Sequence, residues 1–264
     1  MLEPTPSWTA NIGWIKPGPV SKIIDQFFRV TPPDVNVIIS TTMWSLKMTN
    51  EAHFDPSSLA DGQATMIQMA RDLMAYEAMD FLAVTGDLYQ AALGPEWNAD
   101  MRAAVEEATG RPAATAMTAA VEAMRELGVT RLVVAAPVAD VKTRPVAAYL
   151  EASGFQVLGV EGIATRSSRD IRALPFEAPY DLAKRAFAAA PGADGIYLPS
   201  LTWRATDFAA RLEDELGAAV ITLYSSLVWR ALTAIGYPRP ITGYGQLLER
   251  VGGASGGAGR VAHG

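Results

Sequence analysis

Three residues of this chain have side chains suited to moving a proton and stand directly after short apolar runs: Lys16 after Ile12–Ile15, Asp87 after Phe81–Thr85, and Ser200 after Gly195–Leu198. Asp87, in the turn Thr85-Gly86-Asp87, reads as a general base or as the N-cap or Asx turn that aspartate favours at such a place. Ser200 carries a hydroxyl far less acidic than a thiol and becomes a nucleophile only beside a base. It reads otherwise as a hydrogen-bond donor to a substrate carboxylate, or as a cap for a helix beginning near Thr206. Lys16 precedes the stiff turn Pro17-Gly18-Pro19, and a buried lysine with lowered proton affinity can act as a base or form a Schiff base. Lys47 and His53 are further cation or base candidates, with a surface role favoured for Lys47. Thr41, Thr42, Ser225 and Ser226 stand at strand ends, where hydroxyls and helix N-terminal amides can hold an anion; ordinary capping is the alternative. Trp44, Tyr89, Trp97, Trp203 and Tyr224 fall in or near the same loops and would line an aromatic pocket, packing being favoured for Trp97. Arg204 offers a bidentate carboxylate clamp or a plain surface charge.

Composition removes several classes. The chain has no cysteine, which excludes disulfides, thiolate metal sites and thiol catalysis. Its two histidines are His53 and His263, too few for a histidine metal centre, so no metal site is expected. In a serine triad only His53 could be the base. A formal charge of −6 with 19% charged residues argues against nucleic-acid binding, which needs a basic face. No apolar run reaches membrane-spanning length, and the start of the chain lacks a basic segment followed by an apolar one. A cytoplasmic protein with no membrane partner is the expectation. The turn Lys16-Pro-Gly-Pro-Val-Ser21 is no dinucleotide fingerprint, and no P-loop is present.

The elements that must position these residues read as an α/β fold. Near-continuous apolar runs at Ile12–Ile15, Val35–Ser40, Phe81–Thr85, Leu132–Ala136, Gln156–Val160, Gly195–Leu198 and Val220–Leu223 are those of strands buried on both faces of a parallel sheet. Helical patterns alternate with them. Met66, Met69, Ala70 and Leu73 share a face, as do Met117, Val121, Met124 and Leu127, and also Phe208, Leu212 and Leu216. A repeat is visible as well. Asp80-Phe-Leu-Ala-Val-Thr-Gly86, a helix to Gly110, Ala113-Ala-Thr115 and a helix to Gly128 are matched by Asp194-Gly-Ile-Tyr-Leu-Pro-Ser200, a helix to Gly217, Val220-Ile-Thr222 and a helix to Gly236. Two similar lobes with a cleft at the strands' carboxyl ends follow. The expected division is 10–127 plus 229–250 for the first lobe, 128–228 for the second, and a flexible tail at 251–264.

Ala193-Asp-Gly-Ile-Tyr-Leu-Pro-Ser200, Leu212-Glu-Asp-Glu-Leu-Gly217 and Leu227-Val-Trp-Arg-Ala-Leu-Thr-Ala-Ile-Gly236 resemble the aspartate/glutamate racemase superfamily. Glu107-Ala-Thr-Gly-Arg-Pro112 and Gly243-Tyr-Gly-Gln-Leu-Leu248 resemble its arylmalonate decarboxylase branch, with the maleate isomerases next. The resemblance runs from about Ile12 to Leu248. It implies two Rossmann-like lobes with parallel sheets related by a pseudo-twofold axis, a cofactor-free site between them, a small carboxylate substrate, and association into homo-oligomers. It also implies a cysteine after one strand of each lobe in racemases and isomerases, and one cysteine with a glycine in the decarboxylase. Here those positions are Gly86 and Ser200. Asp87 and Leu88 replace small hydroxyl residues, Val138 stands near the decarboxylase's tyrosine, and Leu223-Tyr224 stand near the family's Ser-Asn pair.

The leading expectation is therefore a cofactor-independent lyase, decarboxylase-like, acting on a small carboxylic acid, aromatic ones included. Ser200, Asp87 and Lys16 are its catalytic candidates. Gly86, Leu88, Thr41, Thr42, Leu201, Tyr224, Ser225, Val138 and Trp203 are its substrate-binding candidates. The alternatives are an isomerase or racemase with a rebuilt acid/base pair, such as Asp87 with Lys16 or His53, and a carboxylate-binding protein that kept the fold without the chemistry.

Overall fold

The structure, a computed structural model, describes residues 8–18, 20, 21, 24–42 and 56–253. Its order is β1 (Ala10–Pro17), α1 (Asp25–Val30), β2 (Val35–Thr42), α2 (Pro56–Tyr76), β3 (Phe81–Val84), α3 (Asp87–Thr109), β4 (Ala113–Thr115), α4 (Ala116–Glu126), β5 (Arg131–Ala136), α5 (Asp140–Ala152), β6 (Gln156–Gly162), α6 (Ser168–Arg172), α7 (Ala178–Ala188), β7 (Gly195–Leu198), a 3-10 turn (Ala205–Phe208), α8 (Ala209–Leu216), β8 (Ala219–Thr222), α9 (Leu223–Ala234) and α10 (Gln246–Glu249). The strands form two four-stranded parallel sheets, ordered β2-β1-β3-β4 and β6-β5-β7-β8. The two orders are the same order one lobe apart. β3, β7 and β8 are buried at every residue, which is why they read as unbroken apolar runs. Edge strands β2 and β6 are mostly half-buried and carry Asn36, Ser40 and Glu161.

Side chains alternate across each sheet, and the alternation sorts them into three cores. Ile12, Trp14, Phe81 and Ala83 of the first lobe join Leu132, Val134, Tyr197 and Ile221 of the second in one shared central core, with α4 and α9. Ile15, Leu82 and Val84 face outward under α2 and α3. Val133, Ile196 and Val220 face outward under α7 and α8. The predicted helix faces are all used: Met66 and Leu73 enter the first outer core, Met117 and Met124 the central one, Phe208 and Leu212 the second outer one. Truncating a fully buried side chain such as Met117 to alanine would cost about 2–5 kcal/mol. Because the lobes share that core, such a loss loosens their mutual placement as well as one lobe.

The repeat is carried down to single hydrogen bonds. Asp80 Oδ2 accepts from Asn11 N–H at 2.8 Å, and Asp194 Oδ1 accepts from Arg131 N–H at 2.8 Å. Glu106 Oε1 accepts from Ala113 N–H, and Glu213 Oε1 from Val220 N–H, both at 3.1 Å. Thr115 with Thr118 and Thr222 with Ser225 form matching capping boxes at the starts of α4 and α9, each satisfying backbone donors that a helix start would leave unpaired. This repeat places the turn after β3 opposite the turn after β7. Among the described residues no helix is long and apolar enough to cross a membrane.

Candidate active site

The turn after β3 is held at both ends. Thr85 donates from its N–H (3.0 Å) and hydroxyl (3.3 Å) to Ile15 O on β1. Gln90, one turn into α3, donates to Val84 O at 3.0 Å and accepts from Met117 N–H at 3.3 Å. Between them Gly86 adopts φ 123°, a conformation that side chains rarely tolerate. Tyr89 folds back over it, its hydroxyl donating to Thr85 O at 2.8 Å. A Cβ on Gly86 would lie 1.7 Å from Tyr89 Cε1. The seat of a first-lobe side chain is thus filled by an aromatic ring.

In the second lobe Ser200 has φ 92° and is the one non-glycine residue with positive φ among the described residues. Such backbone costs on the order of 1–3 kcal/mol and persists only where its surroundings fix it. Here three side chains fix it. Trp203 Nε1 donates to Pro199 O (2.8 Å), Tyr224 Oη to Leu201 O (3.0 Å) and Gln26 Nε2 to Trp203 O (2.9 Å). The Ser200 hydroxyl bonds Thr202 Oγ1 at 2.8 Å and accepts from Thr202 N–H at 3.2 Å. Among the described residues no basic side chain hydrogen-bonds it.

Asp87 joins the two turns. Its Oδ2 accepts from Ser200 N–H at 2.6 Å and from Tyr197 Oη at 3.4 Å; its Oδ1 accepts from Leu88 N–H at 2.9 Å. The residue is 3% exposed. Burial penalises the charged carboxylate and lifts its pKa from 3.8 to about 6, against the opposing pull of the donors from Ser200, Leu88 and Tyr197. Tyr197, fully buried beside that carboxylate, is pushed well above 10. A carboxyl with this value is protonated in appreciable fraction near neutrality, the condition for general acid catalysis. The two amides thus hold the two oxygens of the Asp87 carboxylate, one from each lobe.

Of the catalytic candidates, Asp87 and Ser200 are joined by a hydrogen bond. Lys16 is half-buried at the end of β1, paired with Thr41, with Nζ donating to Gly18 O at 3.4 Å. Burial lowers its pKa from 10.5 to about 8. Thr41 is exposed and Thr42 half-buried on the edge strand. Leu88, half-buried, packs on the central and second outer cores, and Leu201 on the central one. Tyr224 is buried against Trp14 and Phe27. Trp203 and Val138 lie within the second outer core. Ser225 spends its hydroxyl in the α9 capping box, and Ser226 donates to Leu223 O. Arg204 is taken by Asp207 (2.6 Å) and Asp25 (3.2 Å). Trp97 packs edge-on against Tyr89. Trp44, Lys47, His53 and His263 lie outside the described residues. The sequence reading missed Tyr197 and Gln26. Tyr197 had a signal, since a tyrosine inside a fully buried strand needs a partner for its hydroxyl.

Comparison with known proteins places these features. A family model described as arylmalonate decarboxylase matches residues 32–248. The arylmalonate decarboxylase of Bordetella bronchiseptica is 33% identical over 162 residues, a stretch covering 59% of this chain and 65% of that one, a little under two thirds of the relative. A solved glycine-to-cysteine variant of arylmalonate decarboxylase, in a sulfate-associated form, superposes with TM-score 0.79 at 25% identity, covering 90% of this chain and 99% of that one. The maleate isomerase Iso of Pseudomonas putida S16 superposes at 0.75 with 17% identity over 91% and 98% of the two chains, a likeness of fold.

Proposed function

The chain belongs to the arylmalonate decarboxylase family, and from that membership we propose that it is a cofactor-independent decarboxylase of small malonate-type acids with Asp87 as its proton donor. The observation that carries this reading is the buried Asp87 carboxyl, bonded across the lobes to Ser200 N–H at 2.6 Å and held near neutral pKa. In a solved double variant of arylmalonate decarboxylase, a glycine is exchanged for cysteine and a cysteine for serine. These two positions stand as far apart in that chain as Gly86 and Ser200 do in this one. The equal spacing supports Ser200 as the counterpart of that cysteine, with the neighbouring carboxyl as the acid that serine cannot be.

The bond to one substrate carboxylate breaks and carbon dioxide leaves. Its electron pair passes to the α-carbon and spreads into the retained carboxylate as an enediolate. The Ser200 and Leu88 amides, which hold Asp87, stabilise the negative charge that Asp87 takes on when its proton leaves. Asp87 then delivers its proton to the α-carbon and regains one from water.

A two-base racemase is less well supported. Gly86 bears no side chain and Tyr89 covers it, so one face of the cleft lacks the usual proton carrier. An isomerase working through a nucleophilic side chain is also less well supported, because Ser200 is bonded to Thr202 rather than to a base. The test is to offer arylmalonates, alkylmalonates, maleate and aspartate in deuterated buffer and follow them by NMR. Loss of one carboxylate with a deuteron at the product carbon is expected. Conversion of maleate, or deuterium exchange in aspartate, without any decarboxylation would replace this reading by the isomerase or racemase one.

A further inference from the structure

Three helices leave a cleft of about 340 Å³ between them, and none of its lining residues belongs to the turns at Gly86 or Ser200. α3 contributes Pro95 and Arg102, α4 contributes Val121, Glu122 and Arg125, and α5 of the other lobe contributes Tyr149. Pro95 follows the kink of α3 at Gly94, where φ is 84° and ψ 172°.

Donors outnumber acceptors on its walls. Glu122 is committed to Arg102 Nη1 at 3.2 Å and to Arg230 Nε at 2.5 Å. Arg102 Nε is buried with no hydrogen bond, its ion pair to Glu106 Oε1 standing at 3.9 Å. Arg125 is exposed, spends Nη2 on Ser153 O at 3.0 Å and rests over the Phe155 ring, keeping its other N–H groups for the cleft. Tyr149 is 4% exposed as a residue and lines the cleft. Burial raises its hydroxyl to about 12 while the charge of Arg125 pulls it back, so it stays protonated and donates. Val121 and Pro95 supply an apolar wall beside these donors.

We infer that this cleft binds a small organic acid, its carboxylate on Arg125, Arg102 and the Tyr149 hydroxyl and its apolar body on Val121 and Pro95. Two guanidinium groups suit a carboxylate through parallel charge-assisted bonds. The volume falls at the lower end of small-molecule sites, about 300–1,000 Å³. The ligand would touch both lobes at once.

The experiment is calorimetric titration of the full chain with benzoate at low ionic strength, inorganic phosphate serving as a second probe. The expected result is saturable benzoate binding that Asp87→Asn leaves intact and that Arg125→Ala or Tyr149→Phe weakens by roughly tenfold. Arg125 is exposed and Tyr149→Phe keeps the ring, so both variants should retain the wild-type melting temperature, which is measured alongside. Unchanged benzoate affinity in both variants would overturn the inference. So would loss of binding in Asp87→Asn, which would move the acid to the cleft between the strand ends, or binding of phosphate with none of benzoate.

Discussion

Replacing Asp87 by asparagine changes the proton chemistry of the site while nearly preserving its shape. The carboxyl's pKa stands at about 6 in the folded protein against 3.8 when exposed. At about 1.4 kcal/mol per unit, the buried charge costs the folded state roughly 3 kcal/mol. A carboxyl with a raised folded value holds its proton more tightly when folded. The cost is therefore absent below 3.8, where both states are protonated, and complete above about 6. Stability of the wild type should fall across that window, and Asp87→Asn should remove this part of the slope. The asparagine amide must turn its NH2 toward either Ser200 N–H or Leu88 N–H, both of which now donate to the carboxylate. That conflict costs about 1–3 kcal/mol. The two effects nearly cancel at neutral pH, and the variant should fold with stability close to wild type there, and fall below it in acid. The rate should behave differently. With a value near 6, about a tenth of Asp87 is protonated at neutral pH, against less than about one in a thousand for an exposed aspartate. Losing a positioned acid of this kind typically costs about 10²–10⁴ in rate. The assay is kcat/KM for decarboxylation from acid to neutral pH in both proteins, with urea unfolding over the same range. Wild-type activity should decline as pH rises through about 6, and Asp87→Asn should be slow and lack that limb. A variant with wild-type turnover and the same pH profile would refute the role of Asp87.

Other substitutions separate neighbouring roles. Gly86→Cys should destabilise by about 2 kcal/mol or more, since a side chain there meets both positive φ and the Tyr89 ring. Adding Tyr89→Leu should restore part of the loss, as read by urea unfolding; a single variant as stable as wild type would contradict the placement of that ring. Ser200→Ala keeps the backbone N–H that Asp87 accepts and loses only the hydroxyl's bonds to Thr202. Its turnover should fall less than about tenfold, and a loss near a thousandfold would make the hydroxyl a reacting group. Lys16 has a folded value of about 8 against 10.5 unfolded. The unfolded chain therefore binds the extra proton between those values, and stability gains with rising pH there. Lys16→Met should remove that gain from the unfolding curves and leave the acid limb of the rate profile in place.

How the sequence encodes the fold differs from how it encodes the site. β3, β7 and β8 announce themselves because a strand buried on both faces must be apolar throughout. The three-residue β4 is too short to show any period, and only the repeat located it. The repeat itself is stronger in the structure than in the letters. Asp80 with Asp194, and Glu106 with Glu213, bond matching amides in the two lobes. The site was legible as positions, since Gly86, Asp87 and Ser200 follow strands whose ends must meet. Its chemistry was not, because residue type alone leaves Asp87 either a cap or an acid. Burial and the Ser200 amide 2.6 Å away support the acid, and the amide belongs to the other lobe. Ser225 misleads for the opposite reason. A hydroxyl at a strand end suits an anion pocket and a capping box equally, and Thr222 N–H claims it. Trp203 reads as a pocket wall by composition, yet its indole N–H is needed to fix the turn that carries Ser200.

The account's central claim is one proton donor acting on one face of the substrate. A prochiral malonate, bearing one aryl and one methyl group on the α-carbon, tests it directly in deuterated buffer. One enantiomer of the product, carrying a single deuteron that does not scramble on long incubation, is predicted. Racemic product, or product whose handedness erodes while the enzyme is active, would contradict the claim and place proton carriers on both faces of the cleft.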